Sequence, residues 1–165
     1  MIFDIFRFEI RMQIALLNQD YSYMLQLTRI FRFETAHAIH QYNGKCRDIH
    51  GHSYELHVTV SGNEEGEDYL PAPGFVVDFK ELKQLVTNSV IEKFDHKVLL
   101  SKSYLDDHPE LTQMHNLVEW AGEPSAENML VYMHRTIGND LPEGIRLKGL
   151  KLYETADSYA EWLCQ

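Results

Sequence analysis

The chain has 165 residues, 44% hydrophobic and 24% charged, a length and balance that fit one soluble domain with a core of its own. Fifteen basic against twenty-five acidic residues give a net charge of −10, which excludes general nucleic-acid binding, because that affinity comes from neutralising phosphates. No apolar stretch approaches the ~20 residues a membrane-spanning helix needs, and two cysteines, Cys46 and Cys164, are too few for a disulfide framework, so a reducing, cytoplasmic setting is expected.

Residues 1–23 read as an N-terminal extension of unknown role ahead of a single domain over 24–165. Asp4, Arg7, Glu9 and Arg11 interrupt its apolar residues, so it has no secretory-signal core, and Met24 stands at the boundary as an alternative start. A strand is predicted over 25–34. A second over 53–61 alternates cleanly, with Tyr54, Leu56, Val58 and Val60 on one face and Glu55, His57 and Thr59 on the other. The acidic, Gly- and Pro-bounded stretch 62–74 reads as a solvated turn.

Asp78 is the predicted N-cap of a helix reaching about Phe94, with Phe79, Leu82, Leu85, Val86, Val90 and Ile91 on its apolar side. Residues 97–122 read as an irregular loop or lid, with His108 and His115 exposed on it. Ser125 then caps a second helix whose inner side is Met129, Leu130, Met133 and Ile137, ending near Gly138. Strands over 146–154 and 158–162 close the chain; on the first, Leu150, Leu152 and Glu154 share a face. This order, without βαβ alternation, predicts an α+β fold: an antiparallel four-stranded sheet with two helices on one face.

The chemistry concentrates in residues 35–54, which hold four of the nine histidines and one of the two cysteines. His50 and His52 flank Gly51 and point to the same side of an extended backbone. His37 is carried back beside them if the apolar runs on either side of the stretch pair as a long-looped antiparallel hairpin. Three neutral imidazoles with one open position form the catalytic zinc pattern. Cys46 admits two readings: a fourth ligand that closes the site, or a thiolate beside Lys45 and Arg47 that acts as a base, the reading preferred here. Taken alone, Asp95-His96 would be a helix-ending pair and Glu154 a rim carboxylate.

Phe33-x-x-x-His37, Cys46-x-x-x-His50-Gly51-His52-Ser53-Tyr54, Val76-Val77-Asp78-Phe79, Phe94-Asp95-His96-Lys97, Pro124-Ser125-Ala126-Glu127-Asn128 and Tyr153-Glu154-Thr155 together resemble the 6-pyruvoyl-tetrahydropterin synthase and 6-carboxytetrahydropterin synthase family, in register over roughly 27–163. The resemblance implies zinc on His37, His50 and His52. It gives Cys46, Asp95 and His96 the proton transfers, and has Glu154 anchor the pterin by accepting its amino and ring N–H groups as a bidentate pair. It further implies the tunnelling fold (T-fold) and an assembly, usually a hexamer, with active sites between subunits. In so acidic a protein, Lys45, Arg47 and Lys97 are the expected holders of the substrate's triphosphate.

The three-residue spacer Arg47 to Ile49 resembles family members of the queuosine route. The expected reaction is therefore conversion of 7,8-dihydroneopterin triphosphate to 6-carboxytetrahydropterin, releasing acetaldehyde and triphosphate. The alternatives are a 6-pyruvoyl-tetrahydropterin synthase, which eliminates triphosphate from the same substrate, and a non-enzymatic zinc-stabilised interaction domain in which Cys46 closes the site. A related hydrolase of the GTP cyclohydrolase kind would need metal-ligand cysteines in an arrangement the chain lacks.

Overall fold

A computed structural model describes residues 23–66 and 69–164, so the extension predicted over 1–23 lies outside the described residues but for its last residue. Strands β1 (Tyr23–His37) and β2 (His50–Gly66) pair antiparallel along most of their length. Alternation puts Phe31, Phe33, Thr35 and His37 of β1 on one face with Tyr54, Leu56, Val58 and Val60 of β2, and all of these are buried. Because β2 continues to Gly66, the acidic stretch expected to be a turn from 62 onward begins inside a strand.

Helix α1 (Phe79–Val86) starts where Asp78 accepts the Lys80 N–H at 2.7 Å, and runs on through a π turn (Thr87–Ile91) and a last turn (Glu92–Phe94). Leu82, Val86, Val90 and Phe94 are buried, but Phe79, predicted on the apolar side, is 49% exposed in the first turn. Strand β3 (Lys97–Ser101), helix α2 (Lys102–Asp107), a 3₁₀ turn (Pro109–Gln113) and strand β4 (Leu117–Trp120) occupy the stretch predicted as a loop. Helix α3 (Ala126–Asp140) is capped by the Ser125 hydroxyl and runs two residues past Gly138, with Met129, Leu130, Met133 and Ile137 buried as its spacing predicts. Strands β5 (Arg146–Tyr153) and β6 (Tyr159–Leu163) complete the chain.

The sheet has six strands in the order β4-β3-β1-β2-β5-β6. The predicted four antiparallel strands are its contiguous part β1-β2-β5-β6, and two parallel strands extend it past β1. The main core lies between this sheet and helices α1 and α3, where each fully buried large aliphatic or aromatic side chain contributes about 1.5–3 kcal/mol. Leu99 of β3 joins that core, while its neighbours Val98 and Leu100 pack with Ala38, Tyr104 and Leu105 in a second cluster. Helix α2 therefore covers the opposite face at that edge, and β3 is buried on both sides, as strands in parallel pairing commonly are.

Candidate active site

The β1–β2 register sets His37 opposite His50 and Thr35 opposite His52, so all three imidazoles emerge on the helix-covered face at one end of the hairpin. One ligand atom from each lies within 4.8 Å of the others. Two of the rings are fixed by backbone carbonyls, which can only accept: His37 donates from Nδ1 to the Pro124 carbonyl at 2.6 Å, and His50 donates from Nδ1 to the Asp48 carbonyl at 2.8 Å. These bonds put the proton on Nδ1 and leave Nε2 with its lone pair, the tautomer a metal ligand needs.

Nε2 of His37 and of His52 is buried without a hydrogen-bond partner. Burial is also the main reason that both groups titrate below the ordinary histidine range; the Pro124 carbonyl pulls His37 the other way, and the Glu154 carboxylate does so for His52. Buried, neutral and unpartnered nitrogens converging on one point fit a bound cation, and the all-imidazole donor set fits zinc.

Glu154 arrives at this cluster from β5. The last β2–β5 pair is Glu55 with Tyr153, so Glu154, the residue after β5, comes beside Tyr54. The Tyr54 hydroxyl donates to Glu154 Oε1 at 2.9 Å, and the same oxygen lies 3.3 Å from His37 Nε2 and 3.6 Å from His52 Nε2. Burial, then the Glu154 charge, pushes the Tyr54 hydroxyl far above the ordinary tyrosine range, so it stays a donor. Sequence reasoning placed Tyr54 on one face of the strand and at the end of the Cys46–Tyr54 motif, and gave it no role at the site. The available signal was its place on the same alternating row as His50 and His52, and the need of a buried tyrosine for a hydrogen-bond partner.

Cys46 sits in a 3₁₀ turn (Lys45–Arg47) of the β1–β2 loop, pinned where the Ile39 N–H donates to its carbonyl at 2.8 Å. Among the described residues the cluster of mutually close ligand atoms holds the three imidazoles without Cys46. The thiol instead lines a cavity of about 230 Å³ with His37, Glu154, Ser125, Glu127 and Tyr159. Lys45 and Arg47 flank it, exposed, with Arg47 Nε 3.6 Å from Asp48 Oδ1.

Asp95 and His96 follow the last turn of the α1 segment. Asp95 Oδ1 accepts the Glu34 N–H at 3.0 Å and lies 2.9 Å from His96 Nδ1. Neighbouring side chains pair poorly on a regular strand; here His96 takes a left-handed φ of 58° that turns its ring back to Asp95. Its N–H donates to the Glu34 carbonyl at 2.7 Å, and its own carbonyl accepts the Asn116 amide at 3.0 Å. The ring is 79% exposed and lines an open cavity of about 550 Å³ with Lys97, Glu34, Ser53, His115 and Asn116. Cys46 and His96 thus line different cavities, and Lys97 lines the one with His96. His108 is on the surface 3.7 Å from Glu110, and His57 pairs with Glu55 at 2.7 Å on the sheet face away from the imidazoles.

The sequence profile described as 6-pyruvoyl tetrahydropterin synthase matches residues 26–163. The 6-carboxy-5,6,7,8-tetrahydropterin synthase of Rickettsia conorii is 30% identical over 145 residues, 84% of this chain and 99% of that protein. The Haemophilus influenzae protein of the same name is 27% identical over 143 residues, again 84% of this chain and 99% of that protein. The solved structure of Caenorhabditis elegans 6-pyruvoyl tetrahydropterin synthase has the same fold, with a TM-score of 0.61 at 22% identity over 87% of this chain and 98% of that chain. The α+β architecture described above is accordingly a T-fold.

Proposed function

The chain belongs to the 6-pyruvoyl tetrahydropterin synthase family, and from that premise we propose that it is a zinc-dependent carbon–carbon lyase converting 7,8-dihydroneopterin triphosphate and one water to 6-carboxy-5,6,7,8-tetrahydropterin, with release of acetaldehyde and triphosphate. The observation that carries the reading is the convergence of His37, His50 and His52 on one point, with two buried, unpartnered Nε2 atoms and the Glu154 carboxylate beside them. The names of the two bacterial relatives support the carboxy product.

His37, His50 and His52 hold the metal through Nε2. Bound there, zinc supplies Lewis-acid polarisation of the substrate's side-chain oxygens. Glu154 receives the amino and ring N–H groups of the pterin and so sets which side-chain carbon faces Cys46. Cys46, in the wall of the same cavity as His37 and Glu154, removes a proton from the hydroxylated side chain as thiolate. The flanking Lys45 and Arg47 favour that thiolate and, with Lys97, balance the triphosphate in a chain of net charge −10. Asp95 holds the His96 ring, which returns the proton.

Because Cys46 and His96 line different cavities of one chain, the reading includes an oligomer in which one subunit's His96 approaches another's Cys46, a hexamer as the family resemblance implies. The setting proposed is cytoplasmic and the product's use the queuosine route. The test is incubation of zinc-loaded protein with 7,8-dihydroneopterin triphosphate, followed by assay of acetaldehyde. Stoichiometric acetaldehyde with triphosphate supports the lyase. Triphosphate with a pyruvoyl product and no acetaldehyde moves the chain to the sister activity, and an unconsumed substrate rejects the enzyme reading.

A further inference from the structure

Tyr54 spends a hydroxyl where packing alone asks for none. Its side chain is 1% exposed and its ring stacks on Phe33, with centroids 5.3 Å apart and planes 13° from parallel, a contact phenylalanine would make equally well. The hydroxyl's partner is Glu154 Oε1, the oxygen that also lies against His37 Nε2 and His52 Nε2. Glu154 follows the end of β5 on a side chain with three rotatable bonds, and a carboxylate 30% exposed beside open space has several orientations available. The Tyr54 hydroxyl, the one donor bonded to Oε1 among the described residues, selects among them: it draws Oε1 inward beside the two Nε2 atoms, which make no hydrogen bond and so do not hold the oxygen themselves, and leaves Oε2 for the cavity that Glu154 lines.

We infer that Tyr54 is a positioning residue which, through its hydrogen bond to Oε1, fixes the Glu154 carboxylate in the orientation that receives the pterin. The inference rests on the pterin-anchoring reading of Glu154 proposed above. Cross-strand register explains how the two residues meet, since Tyr54 and Glu154 extend the β2–β5 pairing by one position. The bond links the strand that carries His50 and His52 to the residue that follows β5, and it comes from a tyrosine that is 1% exposed and does not itself line the cavity.

The test compares Tyr54→Phe, Glu154→Gln and the double variant, each zinc-loaded, by titration with 7,8-dihydroneopterin and by steady-state kinetics. Loss of one hydrogen bond to a charged group predicts about tenfold weaker pterin binding for Tyr54→Phe, a rise in KM larger than any fall in kcat, and unchanged zinc content. The substitution should have no further effect in the Glu154→Gln background, because it acts through that carboxylate. A crystal structure of Tyr54→Phe gives the readout independent of substrate: the carboxylate should leave His37 and His52. If it stays in place, or if Tyr54→Phe binds the pterin as tightly as the parent, the positioning role is overturned. A parent protein that binds no pterin removes the reading of Glu154 instead, and the carboxylate's place in the Tyr54→Phe structure still decides whether the hydroxyl holds it.

Discussion

Two groups of chemically active residues flank the last residues of β1, and they are built to different standards. On the β2 side, His37, His50 and His52 are set by strand register, two of their rings are locked by backbone carbonyls, and Tyr54 with Glu154 closes the cluster from beneath. On the β3 side, Asp95 and His96 are held by backbone bonds to Glu34 and a left-handed φ, yet the imidazole lies 79% exposed in an open cavity. A partly buried cluster with two of its three rings oriented can hold an ion without help. An exposed, oriented pair waits for something to be brought to it, so under the proposed function one chain supplies a finished metal-binding half and an unfinished proton-transfer half.

The largest expected effect breaks the finished half. His50→Ala should abolish zinc binding and, with it, all measurable turnover, checked by metal analysis beside the activity assay; full zinc occupancy in that variant would remove His50 from the ligand set. Next, Cys46→Ala should keep its fold and a full complement of zinc while turnover falls by roughly 10²–10⁴-fold, the usual worth of a positioned acid–base group. Zinc lost from Cys46→Ala as completely as from His50→Ala would instead make the thiol a fourth ligand and the site a closed, structural one.

The unfinished half is sharpened by mixing. Cys46→Ala and His96→Ala, each inactive alone, should recover part of the parental activity when unfolded and refolded together, since some interfaces then pair an intact Cys46 with an intact His96. No recovery, with mixed oligomers demonstrated, would place both residues in one subunit's site.

The smallest effect is on pH. Burial lowers the pKa of His37 and His52, so the folded metal-free protein binds fewer protons than the unfolded chain once the pH drops below about 6.5. The stability tied to these neutral imidazoles is complete above that pH and is lost as the pH falls toward their folded values. Thermal melts of the metal-free protein should show a midpoint that is level above about pH 6.5 and declines below it, with a shallower decline in His52→Gln. Equal slopes in parent and variant would mean that His52 is not held neutral by the fold.

Period-two alternation was enough to find β1, β2 and the shared face of Leu150, Leu152 and Glu154, because each of those strands buries one face and shows the other to water. Caps at Asp78 and Ser125 fixed the starts of α1 and α3 for an equally local reason: a side-chain oxygen satisfies N–H groups only two or three residues away. The His-Gly-His spacing likewise announced two imidazoles on one side of a strand.

The Lys97–Ser101 strand could not be read that way. Four of its five residues are buried, some toward each face, so it shows no alternation, and its partners β1 and β4 are parallel neighbours whose pairing no turn signal announces. Composition and spacing by themselves determined the core rows, the helix starts and the types of residue that gather at one end of the β1–β2 hairpin. Only the tertiary structure decided that Glu154 meets Tyr54, that the Pro124 carbonyl orients His37, and that Cys46 and His96 open into separate cavities. Those are contacts between residues far apart in the chain, set by sheet register and by where a loop crosses it, and no local pattern encodes them.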